Sequence, residues 1–156
     1  MHVVYPGSFD PLTMGHVSIV ERAAQLFDQV SVLISYNPEK ASWFSAEERV
    51  EQVQTVFAKD SRVKVDLWSG LLVEYAKVHK IDAIVKGVRS AADLSYEQVM
   101  AEANHQIGEG LETVVLLAPG ALQGVSSSLV RQIHSLGGDV SAFVPPSVLE
   151  KLKQLK

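Results

Sequence analysis

Residues 2–16 read HVVYPGSFDPLTMGH, and this stretch combines a β-branched run, a turn and the start of a helix. The run His2–Tyr5 is typical of a buried strand, and the residues after Gly15 recur with helical period. Gly7 permits a tight bend or a close backbone approach, while the N–H groups and dipole of a helix start favour an anion. The stretch therefore predicts a phosphate-binding turn, with His16 as a further donor. On these residues alone, a plain turn in which His16 only caps the helix is the alternative.

The rest of the chain alternates in the same way between β-branched runs and segments of helical period. One helix opens on the capping-box pattern Ser45-Ala46-Glu47-Glu48. This alternation favours right-handed βαβ units and an α/β fold with a doubly wound, five-stranded parallel sheet, which binds ligands beyond the carboxyl ends of its strands. The predicted strands are His2–Tyr5, Val30–Ser35, Val63–Leu67, Ala83–Lys86 and Thr113–Leu117. The later helices are predicted from Ser45, over Leu71–His79, over Ser90–Ile107, from Ser127 and over Ser147–Leu155.

Length and composition limit the class of protein. The 156 residues suit one domain, 1–156, and an apolar fraction of 47% is that of an ordinary globular chain. Fourteen basic against 18 acidic residues leave a net charge of −4, which argues against a nucleic-acid partner. The chain has no cysteine, which excludes disulfides and thiol nucleophiles and fits a reducing compartment. Without a signal peptide or an apolar span, we expect a soluble, cytoplasmic protein with no membrane partner.

Three further segments place cations or hydroxyls at ends of predicted strands. Lys40 follows the second strand, Lys86-Gly87-Val88-Arg89 follows the fourth, and Val125-Ser126-Ser127-Ser128 precedes the fifth helix. Each has a simpler explanation by itself, namely a solvated lysine, a basic strand end or an N-cap. Because these ends meet at one edge of a parallel sheet, their combination points to a polyphosphate ligand.

These segments carry a family resemblance. Thr13-Met14-Gly15-His16 resembles the T/H-x-G-H signature of the nucleotidyltransferase superfamily, and the longer string Tyr5–His16 resembles the bacterial phosphopantetheine adenylyltransferases. The stretch Phe44–Arg49, the pattern from Lys86 to Glu97 and the serine segment follow in that family's order over essentially the whole chain. The resemblance implies a Rossmann-like nucleotidyltransferase fold. It also implies adenylyl transfer from ATP to 4′-phosphopantetheine, giving dephospho-coenzyme A and pyrophosphate in coenzyme A biosynthesis.

The resemblance also implies roles for individual residues. His16, Ser8 and Lys40 would be catalytic, and the acceptor would be held by Ser8, Lys40, Leu72 and Lys86. The family's ATP site maps to Ser8, Phe9, His16, Gly87, Val88, Arg89, Glu97, Leu122, Gln123, Gly124, Val125, Ser126, Ser127 and Ser128. Two positions depart from the pattern, because Lys86 replaces an arginine and Leu122 replaces an aromatic residue. From the residues alone, Leu72 fits plain core equally well.

Cofactor and partners follow from the same resemblance. The acceptor is a phosphate monoester that is mostly dianionic at neutral pH, so no general base is needed. We expect Mg²⁺ to be carried by the ATP phosphates and water, with no residue as a metal ligand. The resemblance further implies a homohexamer and feedback inhibition by coenzyme A.

Other functions on the same fold stay open at this point. A related transferase could use nicotinate mononucleotide or glycerol 3-phosphate as its acceptor, and a non-catalytic nucleotide sensor could keep the fold without the reaction. A class I aminoacyl-tRNA synthetase shares the Gly-His motif, but the chain is too short and lacks a Lys-Met-Ser-Lys-Ser segment. A purely structural flavodoxin-like module would not need cations at three strand ends.

Overall fold

The computed structural model describes residues 1–36 and 41–155, and its centre is a five-stranded, all-parallel sheet. The strands are β1 (His2–Gly7), β2 (Gln29–Ser35), β3 (Val63–Trp68), β4 (Ala83–Val88) and β5 (Glu112–Leu117). The helices are α1 (Met14–Leu26), α2 (Ala46–Phe57), α3 (Leu72–His79), α4 (Ala91–Ile107), α5 (Ser127–Ser135) and α6 (Pro146–Leu152). Each predicted strand and helix is present, so the doubly wound α/β prediction is confirmed. No helix within the described ranges has the length and apolarity to cross a bilayer.

The sheet divides the core into two parts. Successive residues of β1 point to opposite faces, so Val3 and Tyr5 join the larger cluster while Val4 joins the smaller one. The larger cluster packs the sheet against α1, α2, α5 and α6, and the smaller one packs it against α3. Tyr75 of α3 is 1% exposed and is the largest side chain of the smaller cluster.

The order of the strands, β3-β2-β1-β4-β5, reverses direction between β1 and β4. β1 pairs with β2 on one side, where Val3 lies opposite Val30, and with β4 on the other, where Val3 lies opposite Ala83. In such a sheet the connections after β1 and β4 leave in opposite directions and open a crevice at the carboxyl edge. The turn that ends at His16 and the segment after Val88 meet at this crevice.

Candidate active site

Two cavities meet at this carboxyl edge of the sheet. The smaller cavity has a volume of about 280 Å³, the larger one about 630 Å³, and both are lined by Ser8 and Arg131. The smaller cavity is otherwise lined by Tyr5, Thr13, Gly15, His16, Ile19, Gly87, Arg89, Ala118, Val125, Ser126, Ser127 and Ser128. Two ligands bound in these cavities would therefore meet beside Ser8.

The turn after β1 is held by an aromatic residue beneath it. Phe9 has a φ of 49°, in the left-handed region that a non-glycine residue seldom adopts, and it is 1% exposed. Its ring contacts Tyr5 edge-on with centroids 5.5 Å apart and His16 with centroids 5.0 Å apart. The side chain of Phe9 thus lies in the core under His16, and only its main chain is left for the ATP contact expected from the sequence.

His16 completes a capping box at the start of α1. Thr13 is the N-cap, its Oγ1 accepts from the main-chain N–H of His16 at 3.4 Å, and its own N–H donates to His16 Nδ1 at 3.1 Å. An imidazole nitrogen that accepts an N–H bond carries no proton, so the proton of the neutral ring lies on Nε2. The ring therefore offers Nε2–H as its donor at the cavity wall.

The electrostatic surroundings keep this imidazole neutral. Burial, followed by the charge of Arg89, lowers the pKa of His16 from 6.5 to about 4. Near neutral pH, His16 is consequently a hydrogen-bond donor without a positive charge.

The lowered pKa of His16 makes stability depend on pH. Between pH 6.5 and 4 the histidine takes up a proton in the unfolded chain but not in the folded one. The contribution of His16 to the free energy of unfolding is therefore complete above pH 6.5 and is lost as the pH falls toward 4. We expect this residue to account for a loss of about 2 kcal/mol, which allows for the part of the ring that faces cavity water. Urea unfolding at pH 7.5 and pH 4.5 measures it. The variant His16→Gln should lose less stability over that interval, and an identical loss would contradict the prediction.

The serine segment before α5 supplies hydroxyls and main-chain N–H groups. Ser126 is the N-cap and its Oγ accepts from the N–H of Leu129 at 3.1 Å. Ser127 Oγ donates to the carbonyl oxygen of Pro11 at 2.8 Å, which ties the start of α5 to the turn after β1. The first N–H groups of a helix have no carbonyl partner within it, so the start of α5 can donate to a phosphate in the smaller cavity.

The end of β4 carries two cations with different surroundings. Arg89 Nη1 donates to the carbonyl oxygen of Val125 at 3.1 Å and its Nε donates to Asp93 at 3.2 Å, with the guanidinium at the wall of the smaller cavity. Lys86 Nζ instead lies 3.2 Å from Glu97 in a mostly buried ion pair. Neither Lys86 nor Glu97 lines the two cavities, so an incoming phosphate would have to compete with Glu97 for this lysine.

A buried carboxylate fixes the far wall of the larger cavity. Asp10 is 7% exposed, and its carboxylate accepts from the N–H of Trp43 at 2.9 Å and from that of Phe44 at 3.0 Å. Arg131 donates to the carbonyl oxygen of Asp10. The sequence alone did not predict that Asp10 holds the segment that follows Lys40.

Of the remaining predicted site residues that the structure describes, Gly87 lines the smaller cavity and the others line neither cavity. Leu72 begins α3 and packs against the smaller core cluster, next to the cavity-lining Trp68 and Gly70. Gly87 does line the smaller cavity, and a Cβ there would lie 2.8 Å from Ile19 Cγ1. Val88 is buried, the segment Leu122–Gly124 directly precedes the cavity-lining Val125, and neither lines this cavity. Lys40 lies outside the described residues.

Comparison with known proteins identifies the family. A family model described as cytidylyltransferase-like matches residues 4–133. A phosphopantetheine adenylyltransferase from Thermotoga neapolitana is 47% identical over 160 residues, which span 100% of this chain and 99% of the relative. This chain belongs to the phosphopantetheine adenylyltransferase family. Family members from Kocuria rhizophila and Corynebacterium diphtheriae are 48% and 45% identical, each over 96% of this chain and over 96% and 97% of their own lengths.

Membership of the phosphopantetheine adenylyltransferase family confirms the resemblance of the string Tyr5–His16 and the predicted class of enzyme, a nucleotidyltransferase. Among the cavity walls of this family member, Asp10 and Arg49 were not predicted as site residues. Arg49 could have been found, because it falls on the buried stripe of α2 with Ala46 and Val53.

Proposed function

We propose that this chain transfers an adenylyl group from ATP to 4′-phosphopantetheine, giving dephospho-coenzyme A and pyrophosphate. The observation that carries the proposal is the pair of adjoining cavities that share Ser8 and Arg131. An adenylyl transferase must bring two phosphorylated substrates together with one phosphate of each in contact. The name shared by the full-length relatives supplies the acceptor.

ATP occupies the smaller cavity in this proposal. Arg89, the start of α5 and Ser126–Ser128 hold the β- and γ-phosphates, while His16 Nε2–H donates to the α-phosphate. A neutral donor fixed by the N–H of Thr13 is already oriented before the reaction, so it stabilises developing charge without further reorganisation. The segment Leu122–Gly124 and Glu97 do not line this cavity and would contact the part of ATP that extends beyond it.

The acceptor occupies the larger cavity, with its phosphate beside Ser8 and its chain along Trp68 toward Leu72. Lys40 and Lys86 assist Ser8 in orienting that phosphate. An oxygen of the acceptor phosphate attacks the α-phosphorus of ATP, the bond from that phosphorus to the bridging oxygen breaks, and pyrophosphate leaves with the electron pair. Because the attacking phosphate is mostly dianionic, alignment matters more than proton removal.

In this proposal magnesium takes part in the reaction as an ion bound to ATP. The smaller cavity is lined by hydroxyls, main-chain N–H groups and two arginines, which suit phosphate oxygens rather than a divalent cation. Within residues 1–36 and 41–155 no three His, Cys, Asp or Glu side chains come together as metal ligands. We therefore place Mg²⁺ on the triphosphate, where it would neutralise charge on the leaving pyrophosphate.

Gly15 offers a test of where ATP binds. A Cβ at this position would lie 3.5 Å from Thr13 Oγ1 and from the carbonyl oxygen of Val125, which is an ordinary contact. Gly15→Ala should consequently fold with unchanged or slightly higher stability. Its methyl group stands at the wall of the smaller cavity, so ATP affinity should fall roughly tenfold in calorimetry. Gly120→Ala, in open space, is the control, and unchanged ATP binding in Gly15→Ala would contradict the placement.

The reaction itself is tested by pyrophosphate release from ATP with a panel of acceptors. We expect release with 4′-phosphopantetheine and little with pantetheine, nicotinate mononucleotide or glycerol 3-phosphate. Release with another member of the panel alone would assign a different transferase. ATP binding without release for any acceptor would favour the nucleotide sensor.

Assembly and regulation extend the same proposal. We propose a homohexamer in which α4 contributes to a subunit contact, because Tyr96, Val99 and Ile107 of this helix are 64%, 70% and 58% exposed. Light scattering should then give six times the mass of one chain.

Coenzyme A contains both the pantetheine arm and an adenine nucleotide, so we propose that it competes for both cavities as a feedback inhibitor. A substrate with a thiol suits a reducing, cytoplasmic location, and the net charge of −4 disfavours a nucleic-acid partner.

A further inference from the structure

Arg49 is a buried cation in the wall of the larger cavity. It lies in the first turn of α2 and is 4% exposed, yet it lines the cavity together with Ser8 and Arg131. Arginine is rarely buried without a partner, because removing a guanidinium from water carries a large penalty. The contacts of Arg49 therefore indicate what the cavity is built to hold.

The described contacts of Arg49 are all with main-chain carbonyls. Its Nη1 donates to the carbonyl oxygen of Ser8 at 2.9 Å, and its Nε donates to that of Ser45 at 3.2 Å. A guanidinium has five N–H groups in a planar fork, so these two bonds leave three donors over. No carboxylate in the described part of the chain lies within 4.0 Å of it.

Two other cations near the acceptor cavity differ from Arg49, one in having a carboxylate partner and the other in being less buried. Lys86 is paired with Glu97 at 3.2 Å. Arg131 directs its two described bonds to the carbonyl oxygen of Asp10 and to Ser128 Oγ, on the border with the smaller cavity. Arg131 is only half-buried, so among the residues that the structure describes Arg49 is the buried cation that lines the larger cavity and has unused donors. A phosphate dianion beside Ser8 would supply the missing counter-charge and accept two parallel N–H bonds.

We propose that Arg49 binds the phosphate of the acceptor directly and thereby selects a phosphorylated acceptor over an unphosphorylated one. The bond from Nη1 to Ser8 places this guanidinium against the residue where the two cavities join. The inference rests on the proposed function, since it assumes that the larger cavity takes the acceptor. The inference gives Arg49 a role in binding, whereas the family resemblance included this residue only as the end of the stretch Phe44–Arg49.

The test compares 4′-phosphopantetheine with pantetheine, which lacks only the phosphate. For each protein, calorimetry gives the dissociation constant of each acceptor. The constant for pantetheine divided by that for 4′-phosphopantetheine measures how strongly the protein prefers the phosphorylated acceptor. Arg49→Gln should lower this ratio about 10- to 100-fold, the effect expected for hydrogen bonds to a charged group, while the KM for ATP stays near that of the unaltered chain. Arg49→Lys keeps the charge without the fork and should lower the ratio severalfold.

The control is Arg62→Gln, because Arg62 also donates to a main-chain carbonyl, that of Ala24, but lies away from both cavities. It should leave the ratio unchanged. A purely structural role for Arg49 predicts equal losses for both acceptors, so an unchanged ratio in Arg49→Gln overturns the inference. If circular dichroism shows that this variant is unfolded, Arg49→Lys decides by the same ratio. An unaltered chain that does not discriminate between the two acceptors would instead refute the proposed function.

Discussion

Replacing His16 by alanine is expected to lower kcat by about 10²–10³-fold, the usual effect of removing one oriented donor to a developing charge. The KM for ATP should change much less, because in the proposed function Arg89 and the serine segment hold the remaining phosphates. The same substitution removes the Nδ1 acceptor for the N–H of Thr13, so α1 loses part of its cap and some stability. Steady-state kinetics with 4′-phosphopantetheine and thermal unfolding measure the two effects.

The variant His16→Gln separates the effect on kcat from the effect on stability. Glutamine is a usual partner at the third position of a capping box, so its side chain can accept from Thr13 as the imidazole does. This variant should keep most of the stability and still lose about 10²–10³-fold in kcat, since the glutamine amide turned toward Thr13 does not place an N–H where the imidazole Nε2–H stood. Near-normal turnover in His16→Gln would mean that His16 acts only as a helix cap.

Asp10→Ala is expected to produce the largest loss of stability. Two buried main-chain N–H groups, those of Trp43 and Phe44, would lose their acceptor, at a cost of about 2–4 kcal/mol in total. The melting temperature should fall by about 5–15 °C in a chain of this size. Because the released segment borders the larger cavity, the KM for 4′-phosphopantetheine should rise more than the KM for ATP.

The matched control for this change is Asp139→Ala. Asp139 also accepts from a main-chain N–H, that of Ser141 at 2.8 Å, but it lies on the surface, where water can replace it. It should alter the melting temperature by less than about 3 °C and leave both KM values unchanged. Equal effects of the two substitutions would show that Asp10 does not hold the cavity wall.

The sequence was sufficient to predict a five-stranded parallel sheet and the order of strands and helices along the chain. β-branched runs and period-3.6 patterns are local, so Val30–Ser35 and the capping box at Ser45 were found within one residue of β2 and α2. Parallel topology then follows from the alternation of strands and helices. The resemblance of Tyr5–His16 located the crevice, because this string falls between β1 and α1.

The side-chain partners inside the site could not be predicted in the same way. Asp10 meets Trp43 across 33 residues, and Ser127 meets Pro11 across 116, and no local pattern encodes such contacts. The pairing of Lys86 with Glu97 depends on how α4 packs beside β4, and periodicity does not give that orientation. Arg49 had a signal, since a charge on an apolar helix stripe needs an explanation, but its partner Ser8 lies 41 residues away.

The bond between Thr13 and His16 orients the imidazole and settles which of its nitrogens carries the proton. Where a carboxylate orients a catalytic histidine, its negative charge supports the imidazolium and the ring can serve as a base. Here a neutral main-chain amide performs the orientation, and it gives no such support. A ring held in this way does not accept a proton from a nucleophile. It also adds no fixed positive charge that would hold the departing polyanion. It can therefore stabilise a transition state without slowing the release of the product.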